Sequence, residues 1–221
     1  MLTTLGVLAV AILAFTVYVG RNAGGSPGTA PTPTPTAAVS AATCGALNFG
    51  AVMTPIPGNA GKKSFSAPPP MTINTTHHFL ATITTAKGTI ALCLDPTLAP
   101  TTVNNFVFLA RNQFYDGLKF HRVVAGFVIQ GGDPLGTGSG GPGYKFNDEP
   151  VRGEYTAGAV AMANSGANTN GSQFFIVTAD QTGKLAKSYN LFGYVQTGMD
   201  VVLKIVQGDV MTSVTVQEQA G

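Results

Sequence analysis

The sequence predicts a mostly β fold, in which a closed antiparallel barrel carries two α-helices over its ends. Three observations support this fold class. Beyond about residue 75, short apolar runs rich in β-branched and aromatic residues alternate with turn residues. Glycine is abundant, with 28 residues, as a fold with many turns requires. Helical spacing of apolar residues occurs at only two isolated places in this region, so we expect the strands to cover one another by closing into a barrel.

An apolar segment occupies residues 1–20. Leu5 to Val19 is apolar except for Thr16, and about 20 apolar residues are needed to span a bilayer. We interpret it as a transmembrane or signal-anchor helix, because no amphipathic stripe marks it as a core helix. The alternative is secretion after signal cleavage, although the segment lacks a preceding basic residue and a following A-x-A pattern. Arg21 alone favours a cytoplasmic domain by the positive-inside rule.

Residues 21–43 read as a Pro/Thr-rich linker that contains the run G-G-S-P-G-T-A-P-T-P-T-P-T. Such a linker extends by about 3.1 Å per residue and would hold a domain away from a membrane. A linker of this composition favours a single-pass protein whose folded domain lies on the extracytoplasmic side of the cell membrane. Residues 44–75 are rich in Gly and Pro, and we predict an extended arm that is either packed on the domain or loose.

The chain has two cysteines in different contexts. Cys44 directly follows the linker, whereas Cys93 lies in the strand-like run T-I-A-L-C-L. In an exported protein such a pair can close a disulfide that staples the arm to the domain. The alternative is a buried, free Cys93 and a Cys44 without a role, and the sequence alone leaves both open.

The folded domain is predicted over residues 76–221. It opens with a hairpin, in which residues 79–85 and 89–94 are strands joined through Ala86-Lys87-Gly88. Pro100-Thr101-Thr102 caps a first helix that ends near residues 111–112. A second helix is predicted over residues 200–206 with Gly208 at its end, and a final strand covers residues 212–216.

Two stretches, residues 120–133 and 161–176, are the most informative part of the domain. The first reads F-H-R-V-V-A-G-F-V-I-Q-G-G-D, a strand-forming run that contains the polar residues Arg122 and Gln130. An arginine is seldom buried without a partner. Arg122 therefore either pairs with a carboxylate inside the fold or points into a cleft that binds a ligand.

Several classes of ligand are disfavoured. The formal net charge is +2, only 10% of residues are charged and the basic residues are scattered, which argues against a nucleic-acid partner. Residues 136–141 match G-x-G-x-x-G, but Pro142-Gly143 follows instead of a helix, so no dinucleotide site is expected. His77 and His78 are adjacent on a strand and would face opposite ways, which disfavours a metal site. We expect no cofactor.

Three long motifs follow one another in this region. They are F-H-R-V-V-A-G-F-V-I-Q-G-G-D, then G-T-G-S-G-G-P-G-Y-K-F-N-D-E, then M-A-N-S-G-A-N-T-N-G-S-Q-F-F-I. In these motifs and their order the sequence resembles the cyclophilins, a family of peptidyl-prolyl cis/trans isomerases, over about residues 76–216. The resemblance implies an eight-stranded barrel, and an enzyme that accelerates rotation about Xaa-Pro bonds in proline-containing polypeptide clients and so assists protein folding. The alternative is a proline-peptide scaffold or holdase without significant turnover.

The resemblance also implies the roles of individual residues. Arg122 would be the catalytic group, assisted by Gln130, and Asn164 would clamp the peptide backbone between Ala163 and Ser165. The remaining substrate-binding residues would be the proline cup of Phe127, Val128, Phe175 and Leu185, the groove residues Gly136 and Gln173, and Tyr189. For Phe127 and Phe175, spacing alone would favour ordinary core packing.

This sequence departs from many cyclophilins at three of these positions. Val128 stands where many members have Met, Tyr189 where they have His, and Lys184 where they have Trp. Because Lys184 lacks the indole donor that the family uses to hold cyclosporin, the resemblance predicts weak cyclosporin binding. We expect a monomer, associated with the membrane only through the N-terminal segment.

Overall fold

The computed structural model describes residues 44–221, so the predicted membrane segment 1–20 and linker 21–43 lie outside the described residues. Within this range the fold has nine strands and two helices. Their bounds are β1 Phe49–Val52, β2 Phe79–Thr85, β3 Gly88–Leu94, α1 Pro100–Arg111, β4 Arg122–Val124, β5 Val128–Gly131, β6 Ala159–Met162, β7 Phe174–Val177, β8 Leu191–Thr197, α2 Met199–Val202 and β9 Ser213–Gln219. Nowhere between residues 44 and 221 is there a helix that has both the length and the apolar character to traverse a bilayer.

All nine strands pair antiparallel in one sheet, in the order β1-β9-β2-β3-β8-β6-β7-β5-β4. Eight of them lie in the predicted domain, and β1 comes from the arm. The predicted closure is wrong, because the outermost strands β1 and β4 are not paired with each other. Near this opening, backbone hydrogen bonds outside the named strands join residues 117–120 to residues 208–211, including an isolated bridge between Lys119 and Val210.

Successive residues of the central strands belong to two different hydrophobic clusters. In β7, Phe174 and Ile176 belong to the main core, which also packs against α1. Phe175 and Val177 belong to a second, smaller cluster that includes Val128 of β5. Because side chains alternate between the two faces of a strand, the small cluster lies on the opposite face of the sheet from the main core. The candidate site is built on this second face.

The N-terminus of α1 is capped from a distant part of the chain. Pro100 occupies the first turn, where its missing N–H costs nothing, but the residue before the helix, Ala99, supplies no side-chain cap. Instead the Glu149 carboxylate accepts hydrogen bonds from the backbone N–H groups of Thr101, at 2.9 Å, and Thr102, at 2.8 Å. A carboxylate at this position also interacts favourably with the helix dipole. The sequence-based cap was therefore assigned to the wrong residues.

The second helix, α2, is shorter than predicted. It covers Met199–Val202, and hydrogen-bonded turns continue the chain through Ile205. The hairpin of β2 and β3 agrees with its prediction, since Thr85 pairs with Gly88 at the turn.

The arm is packed on the domain. Its strand β1 pairs with β9, and the structure joins Cys44 to Cys93 of β3 in a disulfide with a Cα–Cα distance of 5.7 Å. Further along, the Asn104 side chain of α1 accepts a hydrogen bond from the Thr72 N–H and donates one to the Pro70 carbonyl. Of the alternatives left open by the sequence, the structure supports the disulfide and the packed arm.

Candidate active site

Strand register places Arg122, Gln130, Phe175 and Ala161 in one row across four strands. Arg122 of β4 lies opposite Gln130 of β5, Gln130 lies opposite Phe175 of β7, and Phe175 lies opposite Ala161 of β6. Directly paired residues in a sheet project to the same face. Two polar side chains and one aromatic side chain, far apart in the sequence, therefore meet on the face that carries the small cluster.

The row depends on a turn that the sequence analysis missed. The run from Val123 to Ile129 was predicted as one strand, whereas it forms a hairpin in which β4 pairs with β5. The chain reverses at residues 125–127, where Gly126 has a φ of +70° and the Phe127 N–H donates to the Val124 carbonyl. A positive φ is readily adopted by glycine, so the isolated Gly126 is the local feature that allows this apolar run to break.

A cavity of about 170 Å³ opens on this face. Nine of the twelve predicted site residues line it, namely Arg122, Phe127, Val128, Gln130, Ala163, Asn164, Phe175, Leu185 and Tyr189. Its floor is apolar, because Val128 and Phe175 are almost fully buried in the small cluster. Phe127 and Phe175, for which core packing was the alternative, thus contribute to the wall of a cavity outside the main core.

The Arg122 guanidinium is exposed at the edge of this cavity. It lies 5.7 Å from the centre of the Phe127 ring, and Nη1 donates a hydrogen bond of 3.3 Å to Gln130 Oε1. Within residues 44–221 it forms no ion pair with a carboxylate. Of the two predicted possibilities, the cleft is therefore the observed one, and the guanidinium has unused donors that face solvent.

A series of side-chain hydrogen bonds leads away from Arg122. Gln130 Nε2 donates to Gln173 Oε1 at 3.0 Å. Gln173 Nε2 in turn donates to the carbonyls of Gly138 and Gly140, both at 2.9 Å. The guanidinium is thus connected through two glutamines to the glycine-rich loop of residues 138–145.

This glycine-rich loop forms a wall of a second, larger cavity of about 990 Å³ beside the first. Gln130, Ala163 and Asn164 line both cavities. Ser165 and Gln173 line only the larger one, whereas Gly136 lines neither. Gly138, two residues further on, is the glycine on the wall, and the other lining residues that sequence reasoning missed include Leu135, Pro142 and Tyr144. The repeated glycines gave no signal that separates Gly136 from Gly138.

A buried carboxylate organises the start of the glycine-rich loop. Asp133 is only 1% exposed and accepts hydrogen bonds from the backbone N–H groups of Leu135, Thr137 and Gly138. Burial acts to raise the pKa of the Asp133 carboxyl, but these backbone donors outweigh it and hold the pKa below its usual range. Asp133 is therefore a charged anchor for the loop.

His121 lies beside Asp133 and Arg122 on the inner side of the site. Neither ring nitrogen has a hydrogen-bond partner among the described residues, and both are shielded from solvent. Burial lowers the pKa of the His121 imidazole, and the nearby Arg122 guanidinium lowers it further, whereas Asp133 acts in the opposite direction. The imidazole is thus favoured in its neutral form, and among the described residues that line the smaller cavity Arg122 is the cation.

Tyr189 and Leu185 form the rim of the smaller cavity opposite Arg122. The Tyr189 ring packs edge-on against Phe175, with ring centres 5.5 Å apart. Its backbone is held by Tyr155, whose hydroxyl donates to the Tyr189 carbonyl at 2.7 Å. Burial raises the pKa of Tyr155 to about 12, so this hydroxyl keeps its proton at neutral pH.

The arrangement combines an exposed cation, amide groups and an apolar cup. No three His, Cys, Asp or Glu side chains of the described residues are grouped so that they could hold a metal ion. A cation beside an apolar cup can bind a polar group that is attached to an apolar ring and can polarise it without a covalent intermediate.

Comparison with known proteins identifies the class. The model of the family described as cyclophilin type peptidyl-prolyl cis-trans isomerase/CLD matches residues 80–220. The chain therefore belongs to this family, and it is a cyclophilin-type peptidyl-prolyl cis-trans isomerase.

Individual relatives agree with this assignment. A peptidyl-prolyl cis-trans isomerase of Helicobacter pylori is 47% identical over 138 residues, which cover 61% of this chain and 84% of that protein. Peptidyl-prolyl cis-trans isomerase B of Bacillus subtilis is 49% identical over 126 residues, or 56% of this chain and 87% of that protein. A Cryptosporidium parvum cyclophilin matches with a TM-score of 0.58 and 30% identity, over 63% of this chain and 97% of that one. A structure of that protein is known in the presence of the dipeptide Ala-Pro.

Proposed function

We propose that this isomerase acts through Arg122, which binds at the prolyl amide while the apolar cup holds the pyrrolidine ring. Rotation about an Xaa-Pro bond is slow because amide resonance gives a barrier of ~18–20 kcal/mol. To shorten a ~100 s process to ~1 ms, an enzyme must bind the twisted state more tightly than the planar one by about 7 kcal/mol. A guanidinium that donates to the prolyl nitrogen favours its pyramidal form and so removes the conjugation.

The observation that supports this mechanism is the exposed guanidinium, which lies beside the apolar cavity and forms no ion pair with any described residue. A substrate amide can therefore approach the Arg122 donors while its ring contacts Phe127 and Phe175. Gln130 would hold the guanidinium in place and donate to the substrate backbone. Asn164, which lines both cavities, would bind the peptide as it passes from one to the other.

Exchange spectroscopy on an Ala-Pro peptide tests this proposal directly. The full chain should accelerate exchange between the cis and trans forms of the peptide, which broadens their signals. Arg122→Ala should slow this exchange about a hundredfold or more. Arg122→Lys should recover only part of the rate, because an ammonium lacks the planar fork of donors. A holdase or scaffold would shift the peptide signals without accelerating exchange. Equal exchange rates for the wild type and Arg122→Ala would contradict the proposed mechanism.

We further propose that the protein is a single-pass membrane protein whose domain lies outside the cytoplasm, where it assists the folding of exported, proline-containing polypeptides. The Cys44–Cys93 disulfide supports an oxidising compartment, since disulfides are rare in reducing ones. The apolar segment 1–20 and the Pro/Thr-rich linker 21–43 support a tether. External protease added to intact cells should release the domain from the membrane. Protection from the protease would contradict this location, and domain in the medium without protease would indicate cleavage and secretion.

The proposal for drug binding rests on the Lys184 position. Lys184 is exposed, and its amine lies 3.4 Å from the Asp180 carbonyl rather than over the cavity. We expect weak cyclosporin binding, and Lys184→Trp should tighten it measurably in calorimetry. We also expect a monomer, and light scattering tests this.

A further inference from the structure

The arm of residues 44–75 lies entirely outside the segment that matches the family, which begins at residue 80. It nevertheless makes specific contacts along the side of the domain that carries α1. The Ile56 N–H donates to the Arg111 carbonyl at 3.1 Å, and the Gly61 N–H donates to the Asn112 carbonyl at 2.8 Å. These bonds fix the path of the arm across the C-terminal end of α1.

Beyond this point the arm reaches the glycine-rich loop of residues 138–145. The Phe65 N–H donates to the Pro142 carbonyl at 2.7 Å. Gly143 has a φ of +91°, and a Cβ there would lie 2.6 Å from Ser64 Oγ, which is closer than real Cβ contacts. Arm and loop are therefore packed with no room for a side chain between them.

Two side chains of the arm hold this contact in place. The Phe65 ring packs edge-on against Phe108 of α1, with ring centres 5.0 Å apart. The Lys63 amine donates to the backbone carbonyls of Gln113, Phe114 and Asp116, which follow α1. A lysine that satisfies all three donors with carbonyls is a fixed anchor rather than a solvated surface residue.

The loop that the arm contacts is part of the candidate site. Pro142 and Gly143 line the larger cavity, and the Gly138 and Gly140 carbonyls accept the hydrogen bonds that orient Gln173. From the side of the domain, Asn105 of α1 also supports this wall, since it donates to the Gly171 carbonyl and accepts from the Tyr144 hydroxyl. The arm thus supplies an additional, outer support for one wall of the larger cavity.

We propose that Phe65, with Lys63 as its anchor, is a positioning residue that sets the shape of the larger cavity and thereby the preference for peptides that extend beyond the proline ring. This inference rests on the proposed function, in which the smaller cavity holds the ring. It concerns selectivity among peptides and leaves the role of Arg122 unchanged. The shape of the larger cavity in this protein then depends on a segment outside the residues that match the family.

The test compares Phe65→Ala with Met53→Ala in the full chain. Met53 is a matched control, because it is another partly buried arm residue that packs on the same core but bonds to β9 and not to the loop. The probes are a capped Ala-Pro dipeptide and a hexapeptide with a central Ala-Pro. Phe65→Ala should raise KM for the hexapeptide about three- to tenfold while the dipeptide kinetics stay unchanged. Met53→Ala should change neither, and Phe65→Leu should restore most of the hexapeptide affinity.

Amide hydrogen exchange of residues 138–145 gives a second readout that needs no catalysis. Exchange in this loop should accelerate in Phe65→Ala and stay at the wild-type rate in Met53→Ala. If the wild type lacked isomerase activity, the proposed function would fail, whereas the exchange comparison would still test the arm. If Phe65→Ala does not fold, Gly143→Ala tests the same contact from the loop side. The inference is overturned if Phe65→Ala matches Met53→Ala in both readouts, or if it slows the dipeptide and the hexapeptide equally.

Discussion

Arg122 and Gln130 face each other across the β4–β5 hairpin, and a hydrogen bond of 3.3 Å joins the guanidinium to the Gln130 side-chain oxygen. The same glutamine donates to Gln173, so its amide is oriented from both ends. A planar amide held in this way can keep a flexible cation at the edge of the cavity.

The first prediction is that Gln130 contributes to catalysis mainly by holding Arg122. Gln130→Ala should lower kcat/KM about tenfold, the loss expected for a hydrogen bond to a charged group. In an Arg122→Ala background the same change should cost less than about threefold, because the group that it orients is gone. Exchange rates of the four proteins complete the cycle. Gln217→Ala, which removes a hydrogen bond to the Gly50 carbonyl far from the site, should leave the rate unchanged. Additive losses would contradict a shared role.

The second prediction concerns acid stability and Asp133. The pKa of this carboxyl is lowered in the folded protein, so its charged form stabilises the fold. That contribution is complete above the unfolded pKa, near pH 4, and is lost as the pH falls through the lower folded pKa. Asp133→Asn should lower the free energy of unfolding by about 1–3 kcal/mol at pH 7, and the difference from the wild type should shrink towards pH 2. Urea unfolding at several pH values measures both quantities. A difference that does not change with pH would contradict the role of the charge.

The third prediction concerns the Cys44–Cys93 disulfide. The bond closes a loop with a sequence separation of 49, for which chain entropy gives about 4 kcal/mol of stabilisation. Cys44→Ser with Cys93→Ser should lower the melting temperature by roughly 10 °C. Isomerase activity at 25 °C should persist, because neither cysteine lines a cavity. Reductant should lower the melting temperature of the wild type and leave the double variant unchanged. A wild type that melts at the same temperature with and without reductant would show that the disulfide does not stabilise the fold.

The fourth prediction concerns the cap of α1. Glu149→Ala should cost about 1–2 kcal/mol in urea unfolding, since two backbone N–H groups lose their acceptor at the helix N-terminus. Glu149→Gln keeps one oxygen acceptor without the charge and should be intermediate. The control is Asp200→Ala, which removes only a solvent-exposed ion pair with Lys204 and should leave the free energy of unfolding nearly unchanged. Equal losses for Glu149→Ala and Asp200→Ala would contradict the capping role.

Local patterns in the sequence predicted much of this fold. The hairpin of β2 and β3 and the helix α1 follow from alternation and from helical spacing, because both patterns depend on neighbouring residues. The motif residues Arg122, Gln130 and Phe175 were also predicted to lie together, and strand register brings them into one row.

Features that depend on distant contacts were missed. The Glu149 cap joins residues that are 47 and 48 positions apart, and no local signal marks such a pair. The break between β4 and β5 was not predicted because the strand formers Val124 and Phe127 lie on either side of it, although Gly126 allows the turn. In the same way, the path of the arm follows from carbonyls at the end of α1 that composition cannot reveal.

Side chains along β7 alternate between the two clusters, with Phe174 and Ile176 in the main core and Phe175 and Val177 in the small cluster. This alternation limits how the lining of the smaller cavity can change in evolution. Replacing Phe175 alters the lining of the smaller cavity and leaves the main core intact. Inserting or deleting one residue in β7 exchanges the two sets of side chains, so that residues of the small cluster face the main core. Within these strands, a new peptide specificity is therefore accessible by substitution, whereas a change of strand length disrupts the smaller cavity and the main core together.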